Sequence, residues 1–181
     1  QAANIRILIA KGLHAQAEHA FATTKQLCYD TEQLVPLLDI LDTEETYRVA
    51  LLQDRSAIHT EFHNVISLIQ EREHMAELHH KVYSLYSKYG LRPTPEAKQE
   101  FVTYLELLNT ELSKVRLNHS VSLCNSTIAI CHHSLGQHYE AYKALCANVE
   151  LYETKITPKY FRARAIDFLR ILGNIITYAY N

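Results

Sequence analysis

Two stretches of the chain share one spelling: Gly12-Leu13-His14-Ala15-Gln16-Ala17 and Gly136-Gln137-His138-Tyr139-Glu140-Ala141. The common pattern is Gly-x-His-x-x-Ala. Glycine tolerates the positive φ with which a chain leaves the end of a helix. Alanine five residues on removes side-chain bulk where the next helix must lie against its predecessor. A large residue there would force the pair open. Each stretch therefore predicts the elbow of a tightly packed helical hairpin.

Outward from these elbows the chain reads as helix almost throughout. Four Pro and four Gly in 181 residues are too few for the turns of a β-rich protein. Apolar spacing predicts helices over about 2–11, 15–29 and a third to about 54, carried by Leu37, Leu38, Leu41 and Leu52. Asp30 or Thr31 is its expected cap, and Pro36 either opens or kinks it. No Gly or Pro interrupts 56–89, which reads as one long helix or two nearly continuous ones, ended by Gly90. Thr94-Pro95-Glu96 is a strong start signal: a capping hydroxyl, a proline at the first helical position and an acid in the first turn. That helix is expected to reach about Asn109. Three more follow, over about 112–135, 138–154 and from Pro158 onward. The fold class expected is all-α. Short connections make neighbouring helices antiparallel.

The Gly-x-His-x-x-Ala elbows resemble the tetratricopeptide repeat (TPR), whose turn reads Gly-x-Tyr-x-x-Ala. His14 and His138 stand where that family places an aromatic residue, and Phe21 and Leu145 fall on its apolar second-helix position. Leu169, Leu172-Gly173 and Ile176 are similar in spacing to its first-helix signature. The likeness covers roughly residues 1–30 and 118–181. The matching positions Ile128 and Leu172 lie 44 residues apart, against about 34 in the family. The resemblance implies a TPR-like α-α solenoid of antiparallel hairpins with atypically long central helices. It implies one bacterial helical-repeat domain over 1–181; because the sequence starts at Gln1 inside a helix, it also reads as a fragment of a longer chain. The resemblance also implies protein or peptide binding on a groove lined by the first helix of each pair. Carried over residue by residue, the groove positions are Arg6 in the first unit and Ser126, Ile130 and His133 in the second. In the third they are Asp167, Arg170, Asn174 and Tyr178. Arginine pairs with carboxylates, and an asparagine amide both donates and accepts.

Other function classes find little footing. A net charge of −2 with no basic run argues against a nucleic-acid footprint. The longest apolar segment, which contains Asn174, is too short to span a bilayer. Cys28, Cys124, Cys131 and Cys146 form no C-x-x-C pair and read as small buried residues of a reducing, cytoplasmic setting. In CHHSLGQH, Cys131 to His138, the consecutive Cys131, His132 and His133 point about 100° apart and cannot share one ion. His59 and His63 are spaced to grip a metal edge, but no third ligand is apparent, and His79-His80 read as surface residues. The pairs Glu44-Glu45 and Glu71/Glu73 read as solvated helix faces. No phosphate loop or nucleophile elbow occurs. The reading is a non-enzymatic scaffold that binds a protein or peptide, without cofactor or metal and compatible with a homo-oligomer. A ligand-sensing domain of a bacterial regulator, its effector outside this segment, is the alternative. A metal-dependent bundle enzyme using His59 and His63 ranks third.

Overall fold

The structure, a computed structural model, describes the backbone of residues 2–179 and the side chains of residues 2–177. Among the described residues there are eight helices and no strand: α1 (Ala2–Ala10), α2 (His14–Asp30), α3 (Leu34–Ala50), α4 (Ser56–Tyr89), α5 (Pro95–Leu112), α6 (Asn118–Ser134), α7 (His138–Thr154) and α8 (Pro158–Ala179). The all-α expectation holds. The chain divides into two compact units, 1–70 and 71–181. The dividing point falls inside α4, so each unit has its own share of that helix.

Both elbows form as their spelling predicts. Gly12 and Gly136 take φ of 70° and 75°. The amides of Gly12 and Leu13 donate to the Ile9 and Leu8 carbonyls at 2.9 and 3.0 Å, and those of Gly136 and Gln137 donate to His133 and His132 at 3.0 and 2.9 Å. These paired bonds close a Schellman turn. Ala17 and Ala141 are fully buried. The elbow histidines supply ring packing: His14 stacks on Tyr47 at 5.9 Å, and His138 meets His133 edge-on at 5.2 Å.

Two further Schellman turns carry no glycine. Glu32 and Gln33 donate to Tyr29 and Cys28 at 3.1 and 2.8 Å, and Leu52 and Gln53 to Val49 and Arg48 at 3.1 and 3.0 Å. Glu32 and Leu52 take the left-handed position, with φ of 51° and 55°. Two expectations are corrected here. Thr31 does not cap α3; its hydroxyl donates back to the Leu27 carbonyl at 2.7 Å and closes α2. Leu52 is no core residue of α3, which ends at Ala50; it stands 95% exposed in the turn. Pro36 sits in the first turn of α3, where its missing amide costs nothing. A side chain in left-handed backbone is strained by about 1 kcal/mol or more. Leu52→Gly should therefore stabilise the first unit by about 0.5–1 kcal/mol, after allowing for the entropy of a glycine in the unfolded chain. Urea titration measures it, and a destabilised variant would show that Leu52 packs more than its exposure allows.

α4 is one continuous helix of 34 residues. At its start Asp54 accepts from the Ser56 amide at 3.1 Å and from its hydroxyl at 2.6 Å. Thr94 caps α5 as expected, accepting from the Ala97 amide at 3.3 Å. The next junction differs from the sequence reading: α5 runs on to Leu112 and α6 waits until Asn118. The cause is a cap delivered from far along the chain. Glu71 of α4 accepts from the amides of Arg116 and Leu117 at 3.1 and 3.0 Å, and from Arg116 Nε at 3.2 Å. Glu71 is thus a helix cap rather than a solvated acid.

The first unit centres on Ala2, Ile5, Phe21, Ile40 and Tyr47. Beside this core lies a charge network that overturns the surface reading of Glu44, whose side chain is only 7% exposed. Lys25 Nζ lies 2.9 Å from Glu44 and 2.8 Å from Glu61, while Arg48 reaches Glu44 at 3.3 Å and Glu18 at 2.9 Å. The second unit packs Met75, Leu78 and Val82 of α4 against Phe101, Leu105 and Leu108 of α5 and Cys124, Ile128 and Cys131 of α6. Ala129 meets Ala141 and Leu145 of α7, and Tyr152 joins Tyr160 and Ile171 of α8. α8 kinks at Arg164 (φ −127°, ψ 19°). Across the kink the rings of Phe161 and Phe168 close to 5.4 Å.

Candidate functional site

In the second unit α4, α6 and α8 leave a cleft of about 280 Å³. His79 comes from α4, and His119, Ser122, Leu123 and Ser126 come from α6. Asp167, Arg170, Ile171 and Asn174 come from α8. On α6 the positions 119, 122, 123 and 126 recur at three- and four-residue spacing, one face of a helix. On α8 the same holds for 167, 170, 171 and 174. The α6 face is anchored from behind by a buried amide pair. Asn148 of α7 is fully buried. It accepts from Asn125 Nδ2 at 3.1 Å and donates to the Ser122 carbonyl at 3.1 Å and to Ser126 Oγ at 3.0 Å. Ser126 is therefore held as an acceptor toward α7, and its own proton is left to donate elsewhere.

Charge in the cleft is set by α8. Asp167 pairs with Arg164 at 3.4 Å and with Arg170 at 3.7 Å. Arg170 keeps 77% of its side chain exposed. His79 is half-buried, with Nδ1 2.9 Å from Thr127 Oγ1 and its ring stacked on Tyr83 at 6.0 Å. Burial lowers its pKa, and the charge of His80 adds to that effect. Burial also lowers His119; the guanidinium groups of Arg164 and Arg72 act in the same direction, and Asp167 opposes them.

The sequence-derived positions do not all come together. Ser126, Asp167, Arg170 and Asn174 meet on this one cleft. Arg6 belongs to the first unit, where it donates to Asp39 at 2.9 Å and to Thr43 at 3.1 Å beside a separate cavity of about 290 Å³ lined by Ile9, Thr46 and Tyr47. His133 is a correction. It is 6% exposed, packed against Tyr86 with Nδ1 3.2 Å from His138 Nδ1, and so is not presented to a ligand. Ile130 packs against the second-unit core instead of the cleft. The Tyr178 side chain lies outside the described residues.

His79, His119, Ser122, Leu123 and Ile171 also line the cleft and escaped the sequence reading, the two histidines being the ionisable ones. His79 reads as a surface residue beside His80, and His119 stands alone among polar neighbours. Their common feature is helical register with the α4 and α6 cores, visible only once Leu78, Val82 and Cys124 are known to be buried.

Elsewhere, His59 Nε2 contacts Glu45 at 3.1 Å. Among the described residues no three His, Cys, Asp or Glu side chains group so as to hold a metal ion. Cys124 and Cys131 are buried thiols, and burial pushes the pKa of each up to about 12. No helix among the described residues is long and apolar enough to cross a membrane.

The depressed histidines set an acid limit. His133 joins His79 and His119, lowered first by burial and then by the charge of His138. The unfolded chain binds these protons more readily than the folded one. Their contribution is complete above the ordinary histidine value and is lost as pH falls through the lower folded values. The melting temperature of the second unit should fall by several degrees between about pH 7 and about pH 5. Thermal melts across that window check this, and a flat profile would refute the burial of these rings.

No protein-family model matches the chain, and neither a characterised protein nor a solved structure matches it.

Proposed function

We propose that the chain is a TPR-like helical-repeat module that binds a peptide or protein segment and performs no reaction of its own. One observation carries the reading. The cleft is lined only by the alternate helices α4, α6 and α8, with nothing from α5 or α7. That is the arrangement expected when stacked hairpins expose the first helix of each pair on one face. The second-unit cores join α4, α5 and α6 in one cluster, α6 to α7 and α7 to α8, which is compatible with stacked hairpins. Four of the groove positions transferred from the family fall on that face. Arg170 is an exposed charged donor, and Asn174 offers an amide that can both donate to and accept from a peptide backbone.

The test is direct. The chain is incubated with a random peptide pool, bound peptides are identified, and affinities are measured for the chain and for the double variant Arg170→Ala/Asn174→Ala. Loss of a charge-assisted hydrogen bond and an amide contact should weaken binding at least about tenfold. Both side chains are exposed, so folding should be unaffected. Unchanged affinity would remove this cleft from the proposal.

A further inference from the structure

The cleft gathers polar side chains that can donate hydrogen bonds, and Arg170 among them only donates. Two hydroxyls (Ser122, Ser126), one amide (Asn174), two imidazoles (His79, His119) and one guanidinium (Arg170) converge from three helices. Its one carboxylate, Asp167, is already engaged by Arg164 and Arg170. The Ser126 oxygen accepts from Asn148 Nδ2 at 3.0 Å, and its hydroxyl proton can donate into the cleft.

The charge balance points the same way. The chain as a whole has 20 acidic and 18 basic residues. Around His119 the balance reverses, with Arg72 and Arg164 acting on it against Asp167 and with Arg170 on the same cleft. The excess of guanidinium over carboxylate favours an anion, and the hydroxyls, the amide and Arg170 can donate to its oxygens. A carboxylate brings two oxygens and one charge. A phosphoryl group brings three strong acceptors and about −1.5 to −2 charges, which suits donors arriving from three directions. The cleft volume of about 280 Å³ lies just below the about 300–1,000 Å³ of small-molecule pockets. It fits a head group better than a whole cofactor.

We propose that the α4/α6/α8 cleft receives the phosphoryl group of a phosphorylated peptide, held by Arg170, Asn174 and the Ser126 hydroxyl, with His79 and His119 lining the inner walls. This rests on the peptide-binding reading above and adds the chemistry that the peptide must carry.

The test uses the intact chain and one peptide array synthesised in three forms: unmodified, phosphorylated at serine, threonine or tyrosine, and glutamate-substituted. Phosphorylated members should bind at least about tenfold more tightly than the other two forms, and inorganic phosphate should compete. Arg170→Ala should abolish the preference and Asn174→Ala reduce it, while Lys98→Ala on α5 leaves it intact. Circular dichroism confirms that each variant is folded. Equal binding of all three forms, still lost in the Arg170 and Asn174 variants, would overturn the phosphoryl assignment and leave peptide binding standing. Binding of inorganic phosphate with no peptide bound in any form would overturn both. A phosphate preference indifferent to Arg170 and Asn174 would place the site elsewhere and overturn this one.

Discussion

Asn148→Leu is expected to destabilise the second unit by about 3–4 kcal/mol. The side chain is fully buried and makes three hydrogen bonds, to Asn125, to the Ser122 carbonyl and to Ser126. Leucine keeps the forked shape and the heavy-atom count of asparagine but is larger, so some overpacking adds to the effect. The larger part is desolvation without compensation. The Asn125 amide, 6% exposed, is left facing an apolar side chain, and an unmade buried bond costs about 1–3 kcal/mol. The Ser122 carbonyl and Ser126 hydroxyl lose one partner each. Urea unfolding followed by circular dichroism gives the number, and a loss under about 1 kcal/mol would mean that water replaces the amide. The double variant Asn125→Leu/Asn148→Leu sharpens the test. With both amides gone no donor is stranded, so it should be more stable than Asn148→Leu alone. The same substitution frees Ser126 to turn, which links this buried pair to the cleft.

Lys25→Met is the second large effect, about 3 kcal/mol of first-unit stability. Lys25 stands between Glu44 and Glu61, each within 2.9 Å. Burial works to lower the lysine pKa, but the hydrogen bond to Glu61, the ion pair with Glu44 and the charges of both outweigh it and raise the value. The raised value fixes the sign of the pH dependence. The contribution is complete below the unfolded lysine pKa of about 10.4 and is lost as pH rises through the folded value. Methionine keeps the length of the stem and removes the charge, so Glu44, 7% exposed, retains only Arg48. Removing one partner of a buried pair costs about 3–5 kcal/mol; the figure here sits at the low end because Arg48 remains. A thermal or urea melt at neutral pH tests it. Stability unchanged within about 0.5 kcal/mol would mean that the network behaves as an exposed one.

These two residues mark where the sequence stops being legible. Asn148 in NVELYET and Lys25 in ATTKQLC look like ordinary polar positions on amphipathic helices. Their importance arises from what lies opposite. Asn148 faces α6, and Lys25 faces carboxylates 19 and 36 residues further on. The turns at Glu32 and Leu52 escaped for a related reason. Glycine announces a left-handed exit from a helix, whereas Glu and Leu adopt one only because hydrogen bonds to Cys28 and Arg48 hold them there. The late start of α6 belongs with them, since its cap comes from Glu71, 45 residues earlier than Arg116. His133 shows the reverse error. Its register on α6 is that of a groove residue, but the elbow that follows brings His138 over it.

What the sequence determined by itself is local. Few breakers and unbroken apolar spacing make the chain all helix. Glycine at 12 and 136 with alanine five residues on makes two close elbows. Thr94 and Pro95 start α5, and 56–89 runs unbroken. Each follows from backbone sterics and neighbours within a few residues, which a sequence states directly. The tertiary structure alone decided which polar groups are buried, which histidines share a cleft with Arg170 and Asn174, and where the chain divides into two units. Those outcomes depend on desolvation and pairing between groups tens of residues apart. The energy of such pairing exists only after the helices have packed.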